Sequence, residues 1–210
     1  MSDAPRKAGS EPAIIVRMTD GDAFRRAIIE APWDDAPRLV YADWLEERGD
    51  PRAEFIRLQV AGTGSSARAN DLLQAHWRAW VSRSLLEAGT ELVVGVDGLA
   101  VRAPFRAGRL GLTCRFDRGF IGVVSGPYRG LMAKPAQALF AVEPVTTAVP
   151  FDRHPHIRNP PSKVRDLVAE LAARDGVPYA ADALGLIGRA VVLWHRRRLG
   201  LPDPPAAREV

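Results

Sequence analysis

Carboxylates crowd into one short run of the chain: Asp34, Asp35, Asp43, Glu46, Glu47 and Asp50. At such density they can hold a divalent cation or share protons in acid–base work. Asp43, Glu46, Glu47 and Asp50 recur at i, i+3, i+4 spacing, which puts them on one helical face. The same run reads "DDAPRLVYADWLEERGDPRAEFIRLQ", with Arg38, Arg48 and Arg52 interleaved. Acids standing just before a helix cap it, and acids facing arginines make a solvated, ion-paired surface. Caps and a charged face are therefore the expected roles, because a charged face without a cleft shifts no pKa. Asp43 and Arg57 are expected to form a buried or half-buried pair that ties two helices together.

The other reactive side chains are sparse. His154 and His156 form "HPH" in a Pro-rich loop, without the third and fourth ligands that zinc requires. His76 and His195 fall on helices with no Cys or acid at ligand spacing. Cys114 lies between Thr113 and Arg115 in a strand-like run and reads as a small buried hydrophobe, not a nucleophile. Phosphate-binding glycine motifs and the G-x-S-x-G elbow are missing from the sequence. "GTGSSARAN" is Gly/Ser-rich without GK[ST] and reads as a linker. Neither a catalytic residue nor a metal or other cofactor is expected. Two binding sets remain. Tyr41, Trp44, Glu47, Arg48 and Arg52 combine the aromatics and arginines that dominate interface energetics. Trp194, Arg196, Arg197 and Arg198, in "LWHRRRLG", form the strongest basic element and an alternative nucleic-acid contact.

The elements that must position these residues are legible from period and caps. Thr19 and Asp22 have capping-box form ahead of "AFRRAIIEAP". Asp34 or Asp35 starts a second helix with Pro37 in its first turn, and Gly49 suits its C-terminal exit. Asp50 and Pro51 start a third helix, so "ERGDPR" is a helix–turn–helix corner written in capping residues. Asn70 is expected to cap a fourth helix running to about Glu87. The pattern then turns to β-branched residues: a hairpin around Asp97-Gly98, and one hairpin or two strands in "RLGLTCRFDRGFIGVVSGP". "KPAQALFAV" reads as a short helix and "PVTTAVPFD" as a strand. Ser162 is expected to cap a helix to about Asp175, and a last helix runs from about Ala181 to Arg198.

The 210 residues, 47% hydrophobic and 26% charged, describe an ordinary globular protein. A single cysteine excludes an internal disulfide and fits a reducing cytoplasm. The most apolar run, "ALGLIGRAVVLW", is too short for a membrane span and contains Arg189. Charge is uneven: residues 1–60 hold nine Lys/Arg against twelve Asp/Glu, and residues 61–210 hold twenty against thirteen. The basic part is suited to nucleic acid or an acidic partner.

The stretch Phe24–Gln59 resembles the repeat-companion domain family, expanded among planctomycete bacteria and often placed before leucine-rich repeats. "HWRAWVSRSLL", "FDRGFIGVV" and "LFAVEPVTTAVPF" are similar to its later segments, so the resemblance covers about residues 22–151. No L-x-x-L-x-L ladder follows Phe151, and there the chain departs from the family pattern. The resemblance implies a module without enzymatic activity that binds protein partners. The expected fold is α+β. A bundle of three to four short helices packs with a small antiparallel or mixed sheet, and two C-terminal helices follow. The expected organisation is a disordered lead-in (1–18), the α+β domain (19–151), a helical extension (152–200) and a flexible tail (201–210). The expected function is a non-enzymatic interaction, scaffold or adaptor module in the cytoplasm, with a protein partner and no membrane. The sheet edge after Val145 is a second candidate surface. An enzyme without a recognisable motif is the remaining alternative.

Overall fold

The computed structural model describes residues 19–87, 89–95, 98–103, 111–151, 162–176 and 183–206. It is α+β, as the sequence pattern predicts. Helix α1 (Asp20–Glu30) opens on the predicted capping box: Thr19 Oγ1 accepts from Asp22 N at 3.2 Å and Asp22 Oδ2 accepts from Thr19 N at 3.0 Å. Helix α2 (Ala36–Glu46) is entered by Asp34, whose Oδ1 accepts from Ala36 N at 2.9 Å. Gly49 turns the chain at φ 67°, and Asp50 Oδ1 accepts from Arg52 N at 2.9 Å to open α3 (Arg52–Val60). The helix–turn–helix corner thus forms from the residues that spell it.

The fourth helix departs from expectation. It runs Ala67–Trp80 (α4), capped by Ser66 through Ala69 N, and Asn70 lies inside its first turn. Ala67, Arg68 and Ala69 are strong helix formers, so the earlier capping side chain takes over. The chain leaves the helix at Val81, in extended conformation, and resumes as the short α5 (Arg83–Glu87).

Five strands follow: β1 (Glu91–Gly95), β2 (Gly98–Ala103), β3 (Leu112–Asp117), β4 (Phe120–Gly126) and β5 (Thr147–Pro150), in spatial order 1-2-3-4-5. The first four are antiparallel, and β5 is parallel to β4. Asp97 and its neighbour at 96, central to the first hairpin signal, lie outside the described residues, but Gly95 pairs with Gly98 around them. The second signal is one hairpin of two strands, turned by Arg118 at φ 48° and Gly119 at φ 87°. Two left-handed central residues match the twist of the strands they join. Helices α6 (Tyr128–Leu131) and α7 (Lys134–Val142) carry the chain from β4 across to β5, as a parallel pair requires.

Helices α8 (Ser162–Asp175) and α9 (Ala183–Arg198) complete the fold. Ser162 is the first residue of α8 and not a preceding cap. Their apolar faces belong to the main core: Val164, Leu171, Ile187, Val191 and Leu193 join Trp77, Cys114, Val124 and Phe140. Gly188 lies so close to β5 that a Cβ there would stand 2.1 Å from the Ala148 carbonyl oxygen. A smaller cluster of Ile28, Tyr41, Ala42, Leu45, Ile56 and Phe120 fills the corner. The chain beyond α9 packs back on the helices. Leu201 is buried, Arg196 donates to Pro202 O at 2.6 Å, and Arg174 donates to Pro204 O at 2.9 Å and Pro205 O at 3.2 Å. Among the described residues no helix is long and apolar enough to cross a membrane.

Candidate functional site

The five residues expected to bind a partner at the corner separate into two groups. Tyr41 is buried, stacked on Trp44 at 5.7 Å and in contact with Phe120. Arg52 is 3% exposed. Its Nε and Nη2 donate to Gly119 O at 3.2 and 3.0 Å, and its guanidinium lies 4.3 Å from the Phe120 ring. These two residues belong to the interior. Trp44 is half-buried beneath Arg48, whose guanidinium lies 3.9 Å over the indole while Nη1 donates to Trp44 O at 2.8 Å. Glu47 and Arg48 are exposed and 3.5 Å apart. Only Trp44, Glu47 and Arg48 of the set meet solvent.

What the corner does is hold the β3–β4 turn. Gln59 Oε1 accepts from Gly119 N at 2.6 Å and its Nε2 donates to Phe116 O at 3.3 Å. Arg118 Nη1 donates to Trp33 O and to Asp35 Oδ1, both at 3.2 Å. Arg38 is fully buried, donates to Asp34 O at 2.8 Å and faces Phe120 at 6.0 Å. Burial lowers both Arg38 and Arg52 to about 10, so each stays charged at neutral pH. Gly119 admits no substitute, since a Cβ would stand 2.2 Å from Ile56 Cγ1. The acidic run resolves the same way. Arg57 binds Glu46 at 2.8 Å and Asp43 at 2.7 Å, and its hydrogen bonds hold the Glu46 carboxyl below the usual carboxylate range. The predicted Asp43–Arg57 pair exists and joins α2 to α3, with Arg57 half-buried and Asp43 exposed, and it is widened to Glu46.

Glu143, whose charge acts on Arg52 in the interior, is an acid that pattern reading missed. It is buried, its Oε2 accepts from Ile121 N at 3.4 Å, and Arg25 approaches its Oε1 at 3.9 Å. Burial pushes the carboxyl up to about 7 against the opposing pull of Arg52 and Arg25. Its sequence signal is faint: one acid between the apolar α7 and Pro144.

The basic element on α9 is also mostly internal. Arg196 is 2% exposed and donates to Ile29 O at 3.0 Å and Glu30 O at 2.9 Å, closing the C-terminal end of α1, with Trp33 4.8 Å from its guanidinium. Arg197 is held by Glu170 at 2.5 Å and Asp203 at 2.7 Å. Arg198 is exposed, 4.9 Å from the ring of the half-buried Trp194. The expected nucleic-acid set is thereby reduced to Trp194 and Arg198. A row of arginines ending an amphipathic helix points around that helix, so one of them meets the core and another meets α8. His195, between them, is buried against Phe140 at 4.1 Å; its pKa falls to about 4, and the neutral ring donates from Nε2 to Leu131 O at 2.7 Å. Cys114 is buried, and burial pushes its thiol up to about 12, as a packing residue requires. His154 and His156 lie outside the described residues. Among those described, His, Cys, Asp and Glu form no group of three able to hold a metal.

A groove of about 480 Å³ runs along β5. Thr146, Thr147, Ala148, Val149 and Pro150 all line it, with Leu184, Gly185, Arg189 and Val192 of α9 on one side and Trp33, Pro204 and Pro205 on another. Successive strand residues point to opposite faces. β5 is the outermost strand of the described sheet, and a groove touching five residues in a row follows it, with α9 against the strand at Ala148. Two of its lining residues are apolar and exposed, Val149 at 42% and Leu184 at 53%, and Phe151, which follows β5 in sequence, is 58% exposed. Arg189 is tied to buried Asp175 at 2.5 Å, so the groove carries little net charge. Compared with protein-family models, with curated proteins and with solved structures, the chain matches none.

Proposed function

We propose that this chain is a non-enzymatic interaction module of the repeat-companion type, acting in the cytoplasm as a scaffold or adaptor. Its partner presents an extended, apolar segment that lies along β5. The observation that carries this reading is the groove at the sheet edge. It joins the outermost strand of the described sheet to exposed apolar side chains, the two elements that strand addition uses. Pro150 lacks an N–H and ends β5 after four residues, which limits pairing to a short segment and leaves side-chain contacts to set affinity. The strongly shifted carboxyl, thiol and imidazole of Glu143, Cys114 and His195 are all buried in the interior, and none lines this groove. That placement favours binding over catalysis.

The test is capture of partners by the tagged chain at about 1 M salt, where charge interactions are screened within about 3 Å. A protein retained by the native chain and lost by a folded Val149→Glu, Phe151→Glu variant supports the reading. Retention by that variant, with loss in Trp44→Ala or Arg48→Glu, moves the interface to the corner.

A further inference from the structure

The described sheet has two outermost strands, β5 on one side and β1 on the other. Proteins blunt such edges with proline, lysine, bulges or a very short strand. β5 has four residues and ends in Pro150. β1, with the sequence ELVVG, carries no proline or lysine and pairs with β2 in regular register from Glu91–Arg102 to Gly95–Gly98. Its one charge, Glu91, stands at its start, 3.7 Å from Arg102. Strand alternation puts Leu92 and Val94 on the same face as their β2 partners Val101 and Leu99. Val101 belongs to the main core, and Leu92 and Leu99 pack against it. Val94 continues that apolar face, yet it is 85% exposed, the most exposed large apolar side chain among the described residues.

We propose that β1 pairs with the β1 of a second copy of this chain, antiparallel and centred on Val93. The strand is complementary to itself in that register. A two-fold axis normal to the sheet sets Val93 beside Val93, Leu92 beside the second copy's Val94, and Glu91 beside its Gly95. Each Val94 then lies between its own Leu99 and the other copy's Leu92, in an apolar row that runs from one core to the other. No like charges meet, because each Glu91 faces a residue without a side chain. Centring the pair on Glu91 would oppose two carboxylates, and centring it on Gly95 would carry Leu92 past the end of the partner strand. One register therefore uses the whole of β1. The pairing leaves both β5 strands at the far ends of one continuous sheet and does not depend on what β5 binds.

Sedimentation velocity of the full chain, from about 1 μM to about 1 mM, tests this. The expected result is a monomer–dimer equilibrium within that range. Val94→Lys places a charge on the edge without touching the core and weakens the dimer at least tenfold. Val40→Lys, the same change at a 51% exposed valine of the corner, leaves it intact. Oxidation reads the register. Val93→Cys links two copies through a disulfide, because residues opposite each other in a ladder lie within its reach. Glu91→Cys does not, because the two positions are offset by about 13 Å along the strands. The native Cys114 is buried and supplies no link. Circular dichroism confirms that each variant folds. A monomer at every concentration, a dimer indifferent to Val94→Lys, or equal linking from positions 91 and 93 overturns the proposal.

Discussion

The α2–α3 corner and the β5 edge use side chains in opposite directions. The corner is dense with charge, yet Arg38, Arg52 and Gln59 turn inward to bind backbone groups, and Arg118 reaches back from the hairpin to Trp33 and Asp35. The β5 edge carries almost no charge and turns Val149, Phe151 and Leu184 outward. A conspicuous motif here is a device for holding a turn, and a plain stretch is the surface proposed for a partner. The difference follows from the cost of burying charge, which carbonyls such as Asp34 O and Gly119 O offset in part. Residue identity across Asp34–Gln59 is correspondingly constrained, whereas an apolar rim tolerates many sequences.

Substitutions separate the two regions sharply. Gly119→Ala should have the largest effect, since it adds a Cβ against Ile56 at a positive φ. A loss of about 3 kcal/mol or more is expected, read by denaturant unfolding. Arg52→Met removes both bonds to Gly119 O and leaves Glu143 with less compensation, for a loss of about 3 kcal/mol. Arg57→Met, at a half-buried arginine whose acidic partners are exposed, should lose under about 1 kcal/mol in the same assay, despite its three hydrogen bonds to acids. Val149→Glu should change stability least, by roughly 0.5 kcal/mol or less, while abolishing partner capture.

Glu143 sharpens the corner's side of the comparison through pH. Its folded pKa, about 7, lies above its ordinary value of 4.5, so the folded state binds the proton more tightly. The stability this contributes is fully present below pH 4.5 and is lost as pH rises through about 7. Glu143→Gln cannot ionise. Its stability relative to the native chain should therefore improve steadily between these pH values, as urea midpoints at constant m would show. A constant difference across that window would mean that the carboxyl titrates alike in the folded and unfolded protein, with no upward shift.

Much of the fold was legible because local chemistry decides it. Thr19 with Asp22, Asp34 before Pro37, and Asp50 after Gly49 satisfy helix ends whatever the tertiary context. Where two capping side chains compete, as Ser66 and Asn70 do, spacing alone does not choose between them. The corner's binding set was half legible: composition marks aromatics and arginines, but which of them face inward depends on the Arg118–Gly119 turn, some 60 residues away in sequence. Arg196 illustrates the same limit, since its acceptors, Ile29 O and Glu30 O, lie at the other end of the chain. Glu143 carries no pattern, and its role arises only from what packs around it. The groove along β5 needs α9, Trp33 and Pro204 together, and no spacing rule connects them.

The most direct test of the β5 reading is site-specific photo-crosslinking in the native cell extract, with the reactive side chain placed at Val149 and, in parallel, at Val40. Both valines are well exposed, at 42% and 51%, one on the proposed edge and one on the corner. A discrete protein adduct from position 149 and none from position 40 is the result expected. An adduct from position 40, with position 149 silent, would place the partner on the corner and contradict the assignment of the groove.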